Sequence, residues 1–148
     1  MDLDRTDIEI LKLLRENSRI SLKAISDEVS LSQPSVKTRM ERLIDSRCIK
    51  GFTIDLDYKK LGFNLAFIIR ISDITLHFNE LLTFLKTKNQ LTEIFSVTGS
   101  DNYLIKGFVK NTEEIDDLLS ELMSYGKINT SIILDAHLNP NFLDLLSD

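Results

Sequence analysis

The first third of the chain repeats one local pattern of apolar and polar positions three times. In each copy, an apolar residue precedes a side chain that can cap a helix, and a second apolar residue follows that cap by four positions. The copies are Leu3, Asp4 and Ile8; Ile20, Ser21 and Ile25; and Leu31, Ser32 and Val36. This is the hydrophobic staple of a helix start. It predicts helices near residues 4–16, 21–29 and 32–46.

A tight turn separates the second and third predicted helices. Only Val29, Ser30 and Leu31 lie between the end of one helix and the cap of the next, which is typical of a helix-turn-helix. Residues 49–56 then alternate apolar with polar or small side chains, which predicts a β-hairpin, or wing. We therefore expect a winged helix-turn-helix domain over residues 1–56, followed by a polar linker over residues 57–62.

The pattern changes after the linker. In order, it predicts a strand over 63–71, a helix over 77–88, strands over 94–97 and 103–109, a helix opened by the capping box Asn111 and Glu114, and a strand over 128–134. The order β-α-β-β-α-β is that of a ferredoxin-like domain, which we expect over residues 63–135. The fold class is therefore α+β. The apolar tail, residues 136–148, is expected to pack on its own or a partner subunit.

Charge is distributed unevenly in this acidic chain of net charge -5. Residues 1–50 carry ten basic and nine acidic side chains, whereas residues 51–148 carry eight and fourteen. The N-terminal part is therefore the better candidate for meeting a polyanion. No apolar run approaches the roughly 18 residues of a membrane helix, and the acidic N-terminus lacks a secretory pattern. Together with the single cysteine, Cys48, this favours a cytoplasmic protein.

The third predicted helix carries the positive charge on its solvent side. Its apolar residues fall within one arc and face the core, so the opposite side is polar and basic. A solvated surface helix would have the same composition, but the tight turn before this one favours DNA. We predict phosphate contacts from Arg39, Arg42, Arg47 and Lys50, and base contacts from Gln33, Ser35 and Thr38, with Ser32 and Lys37 completing the DNA interface.

Nothing in the sequence has the arrangement of a catalytic or metal site. His77 and His137 are sixty residues apart and lack an acidic partner at ligand spacing, so we expect neither a metal nor a cofactor. No nucleophile, base and orienting group occur together, so we expect no enzymatic activity. Asn129 and Ser131 share one face of the last predicted strand and are candidates for lining a ligand cleft, although a plain surface strand would look the same.

Several motifs give the chain a family resemblance. They are the run Asp2 to Asp7 with Ile10 and Leu11, the run Leu14 to Ser21, then Leu31, Ser32, Val36, Arg39, Met40, Arg42 and Leu43, and finally Ile49 to Phe52. These resemble the N-terminal domain of the Lrp/AsnC (feast/famine) transcription regulators. The later run Val97 to Tyr103 is similar to the loop of their C-terminal amino-acid-sensing domain. The resemblance covers nearly the whole chain.

The resemblance implies a dimer formed mainly through the C-terminal sheets, tetramers or octamers, and an amino-acid effector near the glycine loop. The loop residues it assigns to the effector are Gly99, Ser100, Asp101, Asn102 and Tyr103. Two residues depart from the family pattern. Arg47 stands where a glycine usually follows the third helix, and Asn102 stands where an aspartate is expected. An amide cannot offer a carboxylate to an α-ammonium group, although its carbonyl can accept a hydrogen bond.

These observations support three functions in order. The first is a dimeric or higher-order DNA-binding transcription regulator that responds to an amino acid or related metabolite. The second is an architectural DNA-binding protein that responds to no ligand, for which Asn102 leaves room. The third is an enzyme built on the ferredoxin-like half, which would need a convergent set of titratable groups.

Overall fold

The computed structural model describes residues 2–74, 78–137 and 140–146. The chain divides into two compact units, Met1–Asp55 with Leu138–Asp148, and Leu56–His137. The first boundary therefore falls between Asp55 and Leu56. His77, for which we expected no metal, lies outside the described residues.

The first unit contains the three predicted helices. They are α1, Arg5–Glu16; α2, Leu22–Glu28; and α3, Gln33–Asp45. Each follows its predicted cap, because the side chains of Asp4, Ser21 and Ser32 accept from the backbone N–H groups of Asp7, Ala24 and Ser35. Local capping chemistry thus places all three helix starts.

One small core holds these helices together. Its buried residues come from all three: Ile10, Leu14, Ile25, Val36 and Leu43. On α3, Val36 and Leu43 are fully buried, while Met40 is only partly buried and packs at the margin. The fourth residue predicted to face inward, Ile44, is exposed. The inward arc of α3 is therefore narrower than the sequence predicted.

The predicted wing is wrong. Residues 50–57 form neither helix nor strand, and Phe52, Ile54 and Leu56 point into solvent. The alternation is that of one extended segment, but a hairpin needs two strands and a turn between them. Residues 49–56 contain no Asn-Gly or similar turn pair, so their sequence does not specify where the chain would reverse.

The second unit has the predicted order of elements. They are β1, Leu65–Ser72; α4, Phe78–Lys86; β2, Leu91–Ser96; β3, Tyr103–Val109; α5, Thr112–Leu122; and β4, Lys127–Ile133. The strands pair antiparallel in the order β2-β3-β1-β4. This confirms the β-α-β-β-α-β arrangement and the α+β class.

Both helices of the second unit cover the same face of the sheet. Alternate residues of β1, Phe67, Ile69 and Ile71, are fully buried against apolar residues of α4 and α5. On β3, Gly107 allows close packing, because a Cβ there would lie 2.2 Å from the Gln90 carbonyl oxygen and 2.6 Å from the ring of Phe67. On the helix-covered face, neighbouring atoms therefore pack directly against the backbone of β3.

No described helix covers the opposite face of this sheet. Its side chains include Ile68, Leu104 and Phe108, which are only partly buried. The ring of Tyr58 stacks on Phe108, with the ring centroids 4.0 Å apart, and shields one part of this face. We call this side of the sheet, whose apolar residues are Ala66, Ile68, Leu104, Phe108 and Ile133, the open sheet face.

The C-terminal tail returns to the first unit. Its described part forms a 3₁₀ helix, Pro140–Leu146. The Nζ atom of Lys12 on α1 lies 2.6 Å from Oδ1 of Asp144. Phe142 and Leu145 nevertheless remain exposed, so this contact leaves most of the apolar surface of the tail uncovered.

Candidate nucleic-acid interface

The solvent face of α3 presents polar side chains from the start of the helix. Gln33, Ser35, Lys37 and Thr38 are all exposed. Ser35 and Thr38 lie away from the buried Val36 because a helix turns about 100° per residue. Gln33 is exposed as the first residue of the helix. Pro34 in the first turn costs no hydrogen bond there, since the first backbone N–H groups of a helix have no partner within it.

Two hydroxyl groups on this face, those of Ser35 and Thr38, are held by local hydrogen bonds. The Oγ atoms of Ser32 and Ser35 lie 2.9 Å apart, and Thr38 Oγ1 donates to the carbonyl oxygen of Pro34 at 3.0 Å. Each hydroxyl oxygen keeps lone pairs that can accept a further hydrogen bond. Lys37 lies 3.8 Å from the carboxylate of Glu41, an exposed and weak pair that a phosphate can replace. The face therefore offers both donors and acceptors.

Arg39 faces α1 instead. Its Nη1 atom lies 2.6 Å from Oδ2 of Asp4 and 2.8 Å from Oδ1 of Asp7. Asp7 is fully buried, and the side chain of Arg39 is only 28% exposed. The hydrogen bond from Arg39 lowers the pKa of Asp4, and the carboxylates of Asp4 and Asp7 raise the pKa of Arg39. Arg39 thus ties α3 to the start of α1.

Arg42 stands between Asp7 and the solvent. Its Nη2 atom pairs with Oδ2 of Asp7, yet half of the side chain is exposed. A guanidinium carries five N–H donors in a flat fork, so one pairing leaves donors for a second anion. Unlike Arg39, Arg42 can therefore contact DNA while its ion pair with Asp7 stays intact.

Asp7 is not among the functional residues predicted from the sequence. It is the third residue of α1 and completes a capping box, since the N–H of Asp7 donates to Asp4 and the N–H of Asp4 donates to Asp7. The three-residue spacing of the two acids is a visible signal for this box. Its pairing with two arginines more than thirty residues away has no local signal.

Two basic residues follow α3. Arg47 is exposed and has a φ of 58°, a left-handed conformation that favours glycine. Lys50 is also exposed, on the extended segment rather than on a wing. Neither forms an ion pair within residues 2–74, 78–137 and 140–146. Both cations are therefore open to a phosphate.

The predicted effector residues do not form one cluster. Gly99 and Ser100 lie on an exposed loop, with Gly99 at a φ of 115°. Asp101 and Asn102 are half-buried at its end. The Asn102 N–H donates to the Ile71 carbonyl oxygen at 2.8 Å and so fixes the loop to β1.

The remaining three effector candidates lie on opposite faces of the sheet. Tyr103 is buried in the core beneath the helices. Asn129 and Ser131 pair with Arg70 and Ile68 of β1, on the open sheet face. The Asn129 side chain also accepts a hydrogen bond from Arg70 Nη2 at 2.6 Å. The sheet therefore separates the side chain of Tyr103 from those of Asn129 and Ser131.

Both units match known families. Residues 3–44 match the AsnC-type helix-turn-helix domain, and residues 67–141 match the Lrp/AsnC ligand binding domain. The chain belongs to the Lrp/AsnC family. The resemblance seen in the sequence is thereby confirmed. This family is one of transcriptional regulators that bind DNA through the helix-turn-helix domain, so the chain is not an enzyme.

Curated Lrp/AsnC relatives match along most of their length. The chain is 34% identical over 127 residues to the HTH-type transcriptional regulator LrpB of Bacillus subtilis, covering 85% of each protein. It is 30% identical to LrpA of the same organism, covering 89% of this chain and 98% of LrpA.

Solved Lrp/AsnC structures share the fold. LrpC of Bacillus subtilis superposes with a TM-score of 0.87 at 25% identity, covering 93% of this chain and 98% of LrpC. A transcriptional regulator from Neisseria meningitidis, solved in complex with L-Met, gives a TM-score of 0.89 at 24% identity, covering 98% of this chain and 99% of that regulator.

Among the described residues, no helix is both long and apolar enough to cross a membrane.

Proposed function

We propose that this Lrp/AsnC protein recognises specific double-stranded DNA sequences through the solvent face of α3, as a dimer or higher oligomer controlled by an amino acid or related metabolite. The observation that carries the proposal is the division of α3 into two faces. Val36 and Leu43 lie on the buried face, and Thr38 and Arg42 lie on the solvent face. Gln33 is exposed at the start of the helix. A helix of this kind fits the major groove.

The side chains of this face suit separate tasks. The Gln33 amide can pair with the edge of adenine, and the Ser35 and Thr38 hydroxyls can accept from or donate to bases. Arg42, Arg47 and Lys50 can contact phosphates, which position the protein without reading sequence. Arg39 is left out of the proposed interface, because its guanidinium is held by Asp4 and Asp7.

The apolar character of the open sheet face supports dimer formation through it. Ile68, Leu104 and Phe108 would leave water if a second sheet packed on them. Units of this size have thin cores, and association is a common remedy. Two copies of α3 related by a twofold axis would read half-sites about 34 Å, or one DNA turn, apart, or a multiple of that.

Effector binding at the 99–102 loop is the second part of the proposal. The relative from Neisseria meningitidis was solved with L-Met, which makes L-Met the first ligand to test. The side-chain carbonyl of Asn102 would accept a hydrogen bond from the α-ammonium group, and Asp101 beside it would supply the negative charge. A thermal-shift screen of the twenty amino acids tests this, and a ligand at 100 times its Kd should stabilise by about 2.7 kcal/mol.

An architectural role without a ligand is the alternative. Asn102 favours it, since the amide lacks the charge that the family pattern supplies at this position. DNA affinity and melting temperature that are unchanged by every amino acid would support this alternative, and it would leave the DNA interface as proposed.

DNA binding is tested by two variants of α3. Gln33→Ala should change the preferred sequence in a selection from random duplexes, while Arg42→Ala should weaken binding to all sequences. It should also reduce the salt slope, d log K/d log[salt], by about 0.9. Lys86→Ala, which removes an exposed cation from α4, is the control. An unchanged preference for Gln33→Ala would count against α3 as the reader.

A further inference from the structure

Asp7 is a buried carboxylate for which DNA binding has no obvious use. It is fully buried, and all of its described contacts stabilise its negative charge. Oδ1 accepts from Arg39, while Oδ2 accepts from the Asp4 N–H at 3.2 Å and from Arg42. A buried charge is costly to desolvate and is tolerated only with such partners. Capping α1 needs no burial, so the position calls for a further explanation.

The two arginines on Asp7 differ in what they leave free. Arg39 directs one nitrogen at both Asp4 and Asp7 and is mostly covered, whereas Arg42 meets only Asp7 and is half exposed. Thr38 lies three residues after Ser35 and four residues before Arg42, so the three residues form one outward stripe of α3. The free part of the Arg42 guanidinium therefore faces where DNA would lie.

We propose that Asp7 is a positioning residue for DNA binding, which holds the guanidinium of Arg42 from below so that its remaining N–H donors meet a phosphate. This inference rests on the proposed function. A free arginine must lose side-chain freedom when it binds, but one already held by Asp7 has lost it on folding. The gain expected from this pre-ordering is about 2- to 12-fold in DNA affinity.

Electrostatics alone predicts the opposite sign. Asp7 is negatively charged and lies near the surface that would bind DNA, which is also negatively charged. Neutralising Asp7 should therefore strengthen DNA binding by removing a repulsion. A purely structural role would lower the melting temperature but leave the affinity of the folded protein equal or higher. Weaker binding on loss of Asp7 is therefore specific to positioning.

A double-mutant cycle tests the inference on the full-length protein. Affinity for a fluorescein-labelled mixed-sequence duplex is measured by anisotropy for wild type, Asp7→Asn, Arg42→Ala and the double variant, below their melting temperatures. We expect Asp7→Asn to weaken binding about 2- to 12-fold when Arg42 is present, and not at all when residue 42 is alanine. An equal loss in both backgrounds, or tighter binding, would overturn the inference.

Asp4→Asn is the matched control. It removes the same charge from a neighbouring position and keeps a good helix cap, but the Asp4 carboxylate hydrogen-bonds to Arg39, and Arg42 acts on it only through a weaker Coulomb interaction. We expect it to bind DNA as tightly as wild type or more tightly, with weaker coupling to Arg42→Ala than Asp7→Asn shows. A loss matching that of Asp7→Asn would show a general effect of the α1 terminus and contradict positioning.

Arg42→Lys supports the test should Asp7→Asn fold poorly. Lysine keeps the charge, and therefore the salt slope, but cannot fork between a carboxylate and a phosphate. It should lose about the same 2- to 12-fold; wild-type affinity would overturn the inference. Failure of the proposed interface looks different, because Arg42→Ala itself would then leave DNA affinity unchanged.

Discussion

The outward face of α3 and the loop at residues 99–102 are the two regions to which the sequence assigned function, and the structure treats them differently. The α3 candidates are all exposed to solvent, apart from Arg39, which is held by carboxylates. The effector candidates are divided between a loop, a core and the open sheet face. A helix face is set by local spacing, whereas a site beside a sheet depends on which strands pair and on what covers them.

The substitution with the greatest effect on stability is expected on β3 of the second unit. Gly107→Ala would press a Cβ against the Gln90 backbone, which cannot yield as a side chain can. We expect a loss of about 3 kcal/mol in unfolding free energy, measured by urea denaturation. Gly51→Ala, where a Cβ meets nothing within 4 Å, is the control and should change little. A Gly107→Ala variant of wild-type stability would contradict the close packing of β3.

A smaller effect should sharpen the contrast between stability and function near α3. Arg47→Gly relieves a left-handed backbone and should stabilise the protein by about 1 kcal/mol, while DNA binding weakens and the salt slope falls by about 0.9. Melting curves and anisotropy titrations measure the two effects. Lys50→Ala should weaken DNA binding without the gain in stability. Were Arg47→Gly to destabilise the protein, the backbone argument would be wrong.

The smallest effect is a change in the pKa of Asp4, which pairs with Arg39 and turns it away from the proposed DNA interface. The hydrogen bond from Arg39 holds the pKa of Asp4 below the ordinary value of 3.8. The stabilisation is thus present above about pH 4 and is lost as the pH falls through the lowered value. In Arg39→Leu, an NMR titration of the Asp4 carboxyl should give a higher pKa, nearer 3.8. An unchanged pKa would mean that Arg39 is not the partner.

What the sequence could predict follows the same division between local and distant contacts. The caps Asp4, Ser21 and Ser32 predicted three helices within a residue or so of their starts, because capping involves only neighbours. The order of the second unit followed from periodicity. The hairpin failed because alternation marks an extended segment but does not supply its pairing partner. Whether an extended segment pairs depends on contacts that lie outside it.

The site shows the same limit. Thr38 could be placed on the solvent face from helical spacing alone, whereas Gln33 lies three residues before the buried Val36 and is exposed as the first residue of α3. The role of Arg39 could not be predicted, because its partners are more than thirty residues away in the chain and one of them is buried. Tyr103 was assigned through resemblance to a loop motif, which says nothing about the face to which its side chain points.

Hydrogen–deuterium exchange of the full-length protein, with and without its selected DNA, tests the central claim most directly. We expect DNA to slow exchange across residues 31–50, which cover α3 and the basic residues after it, and to leave exchange at residues 97–104 unchanged. An effective amino acid should protect residues 97–104 instead. DNA-dependent protection confined to the second unit, with none over residues 31–50, would contradict α3 as the DNA-reading element.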